Sequence, residues 1–205
     1  MGGKALPYDA EVEYMNIHTY SYFLTDYYPN QDTEIECVCN MPDARNFIVC
    51  GAKGSAQNNN IQTELYRWDN TIEYHYNTSI WRPSVNWGIS TGKYVTVTFH
   101  GMGNYSSVVD SDGVVLNEQL IPDSGVFEVE YPLAVFALNR SGTISYYTMS
   151  DVRRVKSFKI KENGELLYDY IPVRVGTKGY FYERLSKQMY ESMRGNPFAP
   201  GPDKT

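Results

Sequence analysis

Acidic residues alternate at two places, as Asp9, Glu11 and Glu13 and again as Glu128 and Glu130. On an extended strand, side chains two apart share a face, so each set aligns its carboxylates. Aligned carboxylates are the raw material of glycoside hydrolysis, which needs an acid and a second carboxylate at a defined separation. A hydrolase here would need Glu11 or Glu13 facing a cleft, about 5 Å from its partner. The same alternation describes the solvated face of an edge strand, where charge discourages pairing with another chain, and that is the reading adopted. Three histidines, His18, His75 and His100, are too few and scattered for a triad, and His100 reads as a polar residue at the end of a strand. Neither a His-Glu-x-x-His nor a Gly-x-x-x-x-Gly-Lys segment occurs. The chain is therefore expected not to be an enzyme and to carry no cofactor.

The metal candidates are equally thin. Cys37, Cys39 and Cys50 lack Cys-x-x-Cys spacing and a histidine at ligand distance in sequence. They read as small apolar residues in or near a core, kept reduced. Asp110-Ser111-Asp112-Gly113 looks like part of a calcium loop but lacks the later acidic ligand; a hairpin turn explains it without a metal. The expected metal set is none. What remains is aromatic surface: Trp68, Trp81 and Trp87 are the candidate ligand-binding residues, with 19 tyrosines around them. Flat rings stack on sugar faces and serve protein interfaces equally well, and composition alone leaves both open.

Charge narrows the partners. With 24 acidic and 18 basic residues the net charge is -6, which argues against nucleic acid. Arg153, Arg154, Lys156, Lys159 and Lys161 concentrate on one run. Strict alternation sends Arg154 and Lys156 to one face and the other three to the opposite face, so no single stripe is expected. No apolar run approaches the roughly 18 residues of a membrane span, and the opening Met1–Pro7 lacks an apolar signal segment.

The elements that would position these residues are strands. Runs rich in Val, Ile, Thr, Tyr and Phe recur between turn residues at 11–14, 21–25, 34–39, 46–52, 62–68, 72–76, 94–100, 107–109, 114–116, 126–131, 133–138, 152–161 and 166–173. Asn163-Gly164 and Asp110–Gly113 are written as hairpin turns, and Pro172 is expected to end its strand. Many short strands in 205 residues predict an all-β protein, an antiparallel β-sandwich or jelly roll of two curved sheets. The expected division is an N-terminal arm (1–8), a sandwich (9–195) and a Pro/Gly-rich C-terminal tail (196–205). Over 184–194, Leu185, Met189 and Met193 stand four apart like a helical stripe.

Several segments together resemble the concanavalin A-like lectin/glucanase sandwiches of the laminin-G-like kind, found in gut bacteria and their phages. They are Leu6–Tyr14, Ala134–Asn139, Val155–Ile160, Asn163-Gly164, Asp169–Arg174, Gly179–Glu183 with Ser186, and Gln188–Tyr190. The resemblance implies a concanavalin A-like fold, with a turn and a short strand over 184–194 in place of the helix. It does not imply catalysis, because the Glu-x-Asp-x-x-Glu strand of the superfamily's glycosidases is missing. Met15–Thr19 also departs from the usual Ser-Thr-Gly-Thr-Gln turn. The function expected from the resemblance is a non-enzymatic structural or adhesion protein of a phage virion: capsid decoration, head fibre or tail part. Its partners would be other virion proteins and itself, a trimer favoured, with host polysaccharide as ligand. The alternative is a secreted or surface carbohydrate-binding module of a gut bacterium.

Overall fold

The computed structural model describes residues 6–40, 46–54, 60–66, 71–77, 79–81, 93–101, 103–121, 125–145 and 152–205. The strands among them are, in chain order, β1 (Ala10–Glu11), β2 (Met15–Ile17), β3 (Phe23–Leu24), β4 (Thr33–Asn40), β5 (Asn46–Lys53) and β6 (Asn60–Tyr66). Next come β7 (Thr71–Tyr76), β8 (Ser79–Trp81), β9 (Tyr94–Phe99), β10 (Tyr105–Asp110), β11 (Val115–Leu120), β12 (Ala134–Val135) and β13 (Leu138–Arg140). The last are β14 (Thr143–Ser145), β15 (Arg153–Glu162), β16 (Glu165–Val175), β17 (Lys178–Glu183), β18 (Gln188–Tyr190) and β19 (Ala199–Pro200). They form two sheets. The larger runs β11-β10-β9-β4-β15-β16-β17-β18, with β1 on β16, β2 on β15 and β19 on β2. The smaller runs β14-β13-β5-β6-β7-β8, extended by β12 and β3. Among the described residues the ladders are antiparallel except β13 on β5.

The sheets face each other across aromatic rings, as alternating burial requires. Phe99 of the large sheet meets Tyr74 and Tyr76 of the small one at 5.9 and 5.7 Å between ring centres. Phe136, beside β12, meets Phe158 and Phe181 at 6.4 and 5.4 Å. Each ring withdrawn from water contributes roughly 1.5–3 kcal/mol, with about 0.5–1.5 more for a well-placed aromatic pair. This is the expected all-β sandwich, built by period-2 patterning such as β4's Thr33, Ile35, Cys37 and Cys39 pointing inward.

Two junctions differ from simple patterning. The 126–131 run makes only a single bridge, Glu128 to Asn30. The side-chain Oε1 of Gln31 accepts the Phe127 N–H at 3.2 Å, in the role a strand carbonyl would have. The 133–138 run breaks at Phe136, whose φ is 68°. The chain turns there, so β12 pairs β5 antiparallel and β13 pairs it parallel.

Pro172 does not end its strand, since β16 continues to Val175. Its carbonyl accepts the Val12 N–H at 3.0 Å, so its missing donor faces the N-terminal segment and leaves the ladder to β17 intact. The two chain ends are woven together at this place. Glu13 donates to the Pro202 carbonyl at 2.8 Å and Gly201 to that of Tyr14 at 2.9 Å, while Phe198 is buried. The 196–205 tail is thus laid on the large sheet. Over 184–194 the helical spacing gives way to turns and then β18, with Leu185 and Met193 exposed.

Candidate functional site

A polar cleft of about 350 Å³ opens where three connections meet at one rim. Its lining is Gln31, Asp32, Glu34, Gly101, Asn104, Asn163 and Gly164. The first wall is the turn into β4. Asn30 caps it by accepting the Asp32 N–H on Oδ1 at 2.8 Å, and Thr33 Oγ1 accepts the Asn30 N–H at 2.8 Å. Glu162 of β15 ties the turn down, accepting from Asn30 Nδ2 and the Tyr27 hydroxyl at 2.9 Å each. The Tyr27 hydroxyl is buried in this network, and burial pushes its pKa well above the ordinary phenol value.

The second wall is the β15–β16 turn. Asn163 and Gly164 have φ of 50° and 79°, the paired positive angles that Asn-Gly supplies at little cost. Gly164 donates its N–H to Glu34 Oε1 at 3.0 Å, and Asn163 donates its own to the Asp32 carbonyl at 3.3 Å. The third wall is the β9–β10 connection. A Cβ on Gly101 would lie 2.5 Å from the Gln31 carbonyl oxygen, so only glycine lets these walls approach. His100 Nδ1 stands 3.4 Å from Glu34 Oε2. Tyr105 begins β10 one residue past Asn104 and is 55% exposed, which leaves its ring face available.

The lining offers carboxylate and backbone acceptors beside amide donors, and it contains no lysine or arginine. That pattern suits hydroxyl groups. The volume lies at the lower end of the roughly 300–1,000 Å³ of small-molecule sites. Asp32 and Glu34 stand two apart on one chain segment, whereas glycosidase carboxylates flank the scissile bond from opposite sides. Both are also committed, Glu34 to Gly164 and Asp32 Oδ2 to the Gln31 amide at 2.9 Å.

Of the residues singled out in the sequence, Trp68 and Trp87 lie outside the described residues. Trp81 ends β8 opposite Tyr74, and its side chain too lies outside them. Asp9, Glu11 and Glu13 do not face the cleft. Asp9 Oδ2 accepts the Gly176 N–H at 2.7 Å, Glu11 pairs with Lys204 at 3.1 Å, and Asp203 takes two bonds from Arg174 at 2.6 Å each. They clasp the chain ends. Glu128 and Glu130 face solvent. Cys37, Cys39 and Cys50 are buried and not joined to one another by a disulfide, and the Cys37 thiol is pushed up by its bond to Cys39 and by burial. Asp110 closes the β10–β11 turn, its Oδ1 accepting the N–H groups of Asp112 and Val114 at 2.9 Å each. These bonds and Lys93 hold its carboxyl below the usual range.

The basic run needs correcting. Between Val155 and Ser157 the register of β15 against β4 slips by one, leaving Lys156 as the extra residue of a β-bulge. Arg153 and Val155 point inward before the bulge, and Phe158 and Ile160 point inward after it. Arg154, Lys156, Lys159 and Lys161 therefore share the outer face, and only Arg153 turns inward, over the Phe47 ring. A bulge has no single-residue signature, so strict alternation missed this. The cleft residues were missed for a related reason: they gather from separate connections, and only the Asn163-Gly164 turn was legible beforehand.

The fold and site together define a two-sheet antiparallel sandwich with a polar rim cleft and a cationic outer strand. No family model matches the chain, and no curated protein matches it. Among solved structures it is similar to the mouse laminin alpha1 chain, domains LG4-5, with a TM-score of 0.48 and 11% identity. That similarity covers 97% of this chain and 46% of the other, so the chain spans less than half of the laminin chain's length.

Proposed function

We propose that the chain is a non-enzymatic adhesion module that binds a glycan in the rim cleft. The observation that carries this reading is the cleft's hydroxyl-matching lining, held in place by bonds from three separate connections. Tyr105 supplies a ring for stacking beside it. Stacking of this kind is typically worth about 1–3 kcal/mol, enough for useful affinity once a protein displays many copies. The finer reading is a phage virion component, on the capsid, head fibre or tail, acting as a symmetric trimer. It is supported by the resemblance of the sequence segments.

The test is a glycan array probed with the protein and with Asn163→Gly. That change keeps the turn, because glycine also accepts a positive φ, and removes the amide from the cleft. Saturable binding to a defined glycan class, weakened about tenfold in the variant, is expected. An array without hits overturns the reading. Antibody labelling of purified phage particles tests the finer one, since a label confined to the bacterial surface would place the protein in a carbohydrate-binding module instead.

A further inference from the structure

The outer cations of β15 begin at the cleft. Lys161 lies opposite Glu34, which lines the cleft, and Lys159 lies opposite Glu36. Lys156 and Arg154 continue the row toward the far end of the strand. Seven steps at about 3.3 Å each make a track of roughly 23 Å. The four cations are not equivalent. Lys159 and Lys161 share Glu36, at 2.6 and 3.9 Å. Arg154 and Lys156 are exposed and have no carboxylate partner among the described residues. They lie over the rings of Tyr14 and Tyr94 at 4.9 and 4.1 Å. Each ring holds its cation in place without neutralising it.

We infer that the ligand of the cleft is a glycan chain bearing carboxylates, of the uronic or sialic acid kind, which continues from the cleft along the outer face of β15. The inference rests on the cleft reading and adds the chemistry of the chain. Arg154 and Lys156 take the carboxylates. Glu34 and Glu36, interleaved with Lys159 and Lys161, accept bonds from the sugar hydroxyls on the lone pairs that Gly164 and the two lysines leave open. The same interleaving disfavours a nucleic acid, whose phosphates recur at every unit and would meet both glutamates. The rings of Tyr14 and Tyr94 are already covered by cations, so they offer bases no stacking platform of the kind single-strand binders use.

The experiment is affinity electrophoresis at low ionic strength through gels holding alginate, polygalacturonate, hyaluronan or polysialic acid, beside gels holding neutral dextran or galactan. Four proteins are run: the wild type, Lys156→Gln, the Arg154→Gln/Lys156→Gln pair and Asn163→Gly. Stronger retention by an acidic polymer than by any neutral one is expected. The pair should lose that excess by about tenfold in Kd, and Lys156→Gln by part of it. Asn163→Gly should weaken every interaction. Lys156→Gln alters one exposed side chain, so an unchanged thermal transition keeps the test valid should the pair fold poorly. Equal retention of wild type and Lys156→Gln in all acidic gels overturns the inference, as does equal competition by a thymidine oligonucleotide. Retention by neutral polymers alone, lost in Asn163→Gly, overturns it while leaving the cleft reading standing; retention by no polymer removes both.

Discussion

Truncating Phe23 to alanine is expected to remove about 3–5 kcal/mol of stability. Phe23 belongs to β3 of the small sheet, yet its ring lies 5.1 Å from Tyr170, 5.4 Å from Phe181 and 5.3 Å from Tyr190 of the large sheet. Phe136 and the C-terminal Phe198 close the group at 6.0 and 6.3 Å. Strands and the woven tail hold all five neighbours, so they cannot collapse into the space a methyl group would leave. The lost transfer energy and the cavity then add. A domain of this kind has about 5–15 kcal/mol in total, so the variant would be near unfolding at 37 °C. Urea titration checks this: the midpoint should fall with little change in slope. Val126→Ala, at a side chain 85% exposed, serves as the control and should stay within about 0.5 kcal/mol. A Phe23→Ala cost below about 1 kcal/mol would mean that the sheets are not bolted together at this ring.

Glu183→Gln should cost about 3 kcal/mol and remove part of the protein's acid sensitivity. Glu183 ends β17 fully buried. Its Oε1 accepts the N–H groups of Asp169 and Leu185 at 2.8 and 3.1 Å, and its Oε2 accepts that of Ser186 at 2.5 Å. Burial pulls the carboxyl upward, but these bonds outweigh it and hold the pKa below the usual carboxylate range. A group depressed in this way stabilises the fold at pH values above its unfolded pKa of about 4.3. That contribution fades as the pH falls through the lower folded value. Wild-type stability should therefore drop below about pH 4, and the glutamine variant should lose less over the same interval because its contribution is already missing. Glutamine keeps one acceptor and turns an NH₂ toward backbone donors, which leaves buried groups unpaired. Parallel pH–stability curves for the two proteins would contradict this role.

Glu183 also explains why 184–194 is not a helix. Its carboxylate collects the N–H groups of Leu185 and Ser186 into a turn, and Lys187 follows with φ of 65°. The Leu185, Met189 and Met193 spacing is real but buries no common face. Elsewhere local chemistry was a sound guide: Asn163-Gly164 set its hairpin, and the alternation in β4 and β9 set the core. What escaped were features written in no single segment. The bulge at Lys156 rotates half a strand by one residue, the Gln31 side chain replaces a ladder partner for Phe127, and Pro172 survives mid-strand because its empty side meets the N-terminal segment. The cleft belongs to the same class. Asp32, Asn104 and Asn163 are ordinary polar loop residues until Gly101 allows their loops to converge.

The claim underneath all of this is that the sandwich retains a glycan without altering it. The most direct measurement incubates the protein with the glycan class selected on the array, then reads the bound fraction by titration and the chain length by chromatography in one sample. Expected is saturable binding with every chain recovered at full length, and a bound fraction that falls in Asn163→Gly. Shortened chains whose appearance depends on Asp32 or Glu34, or binding indifferent to Asn163→Gly, would contradict it.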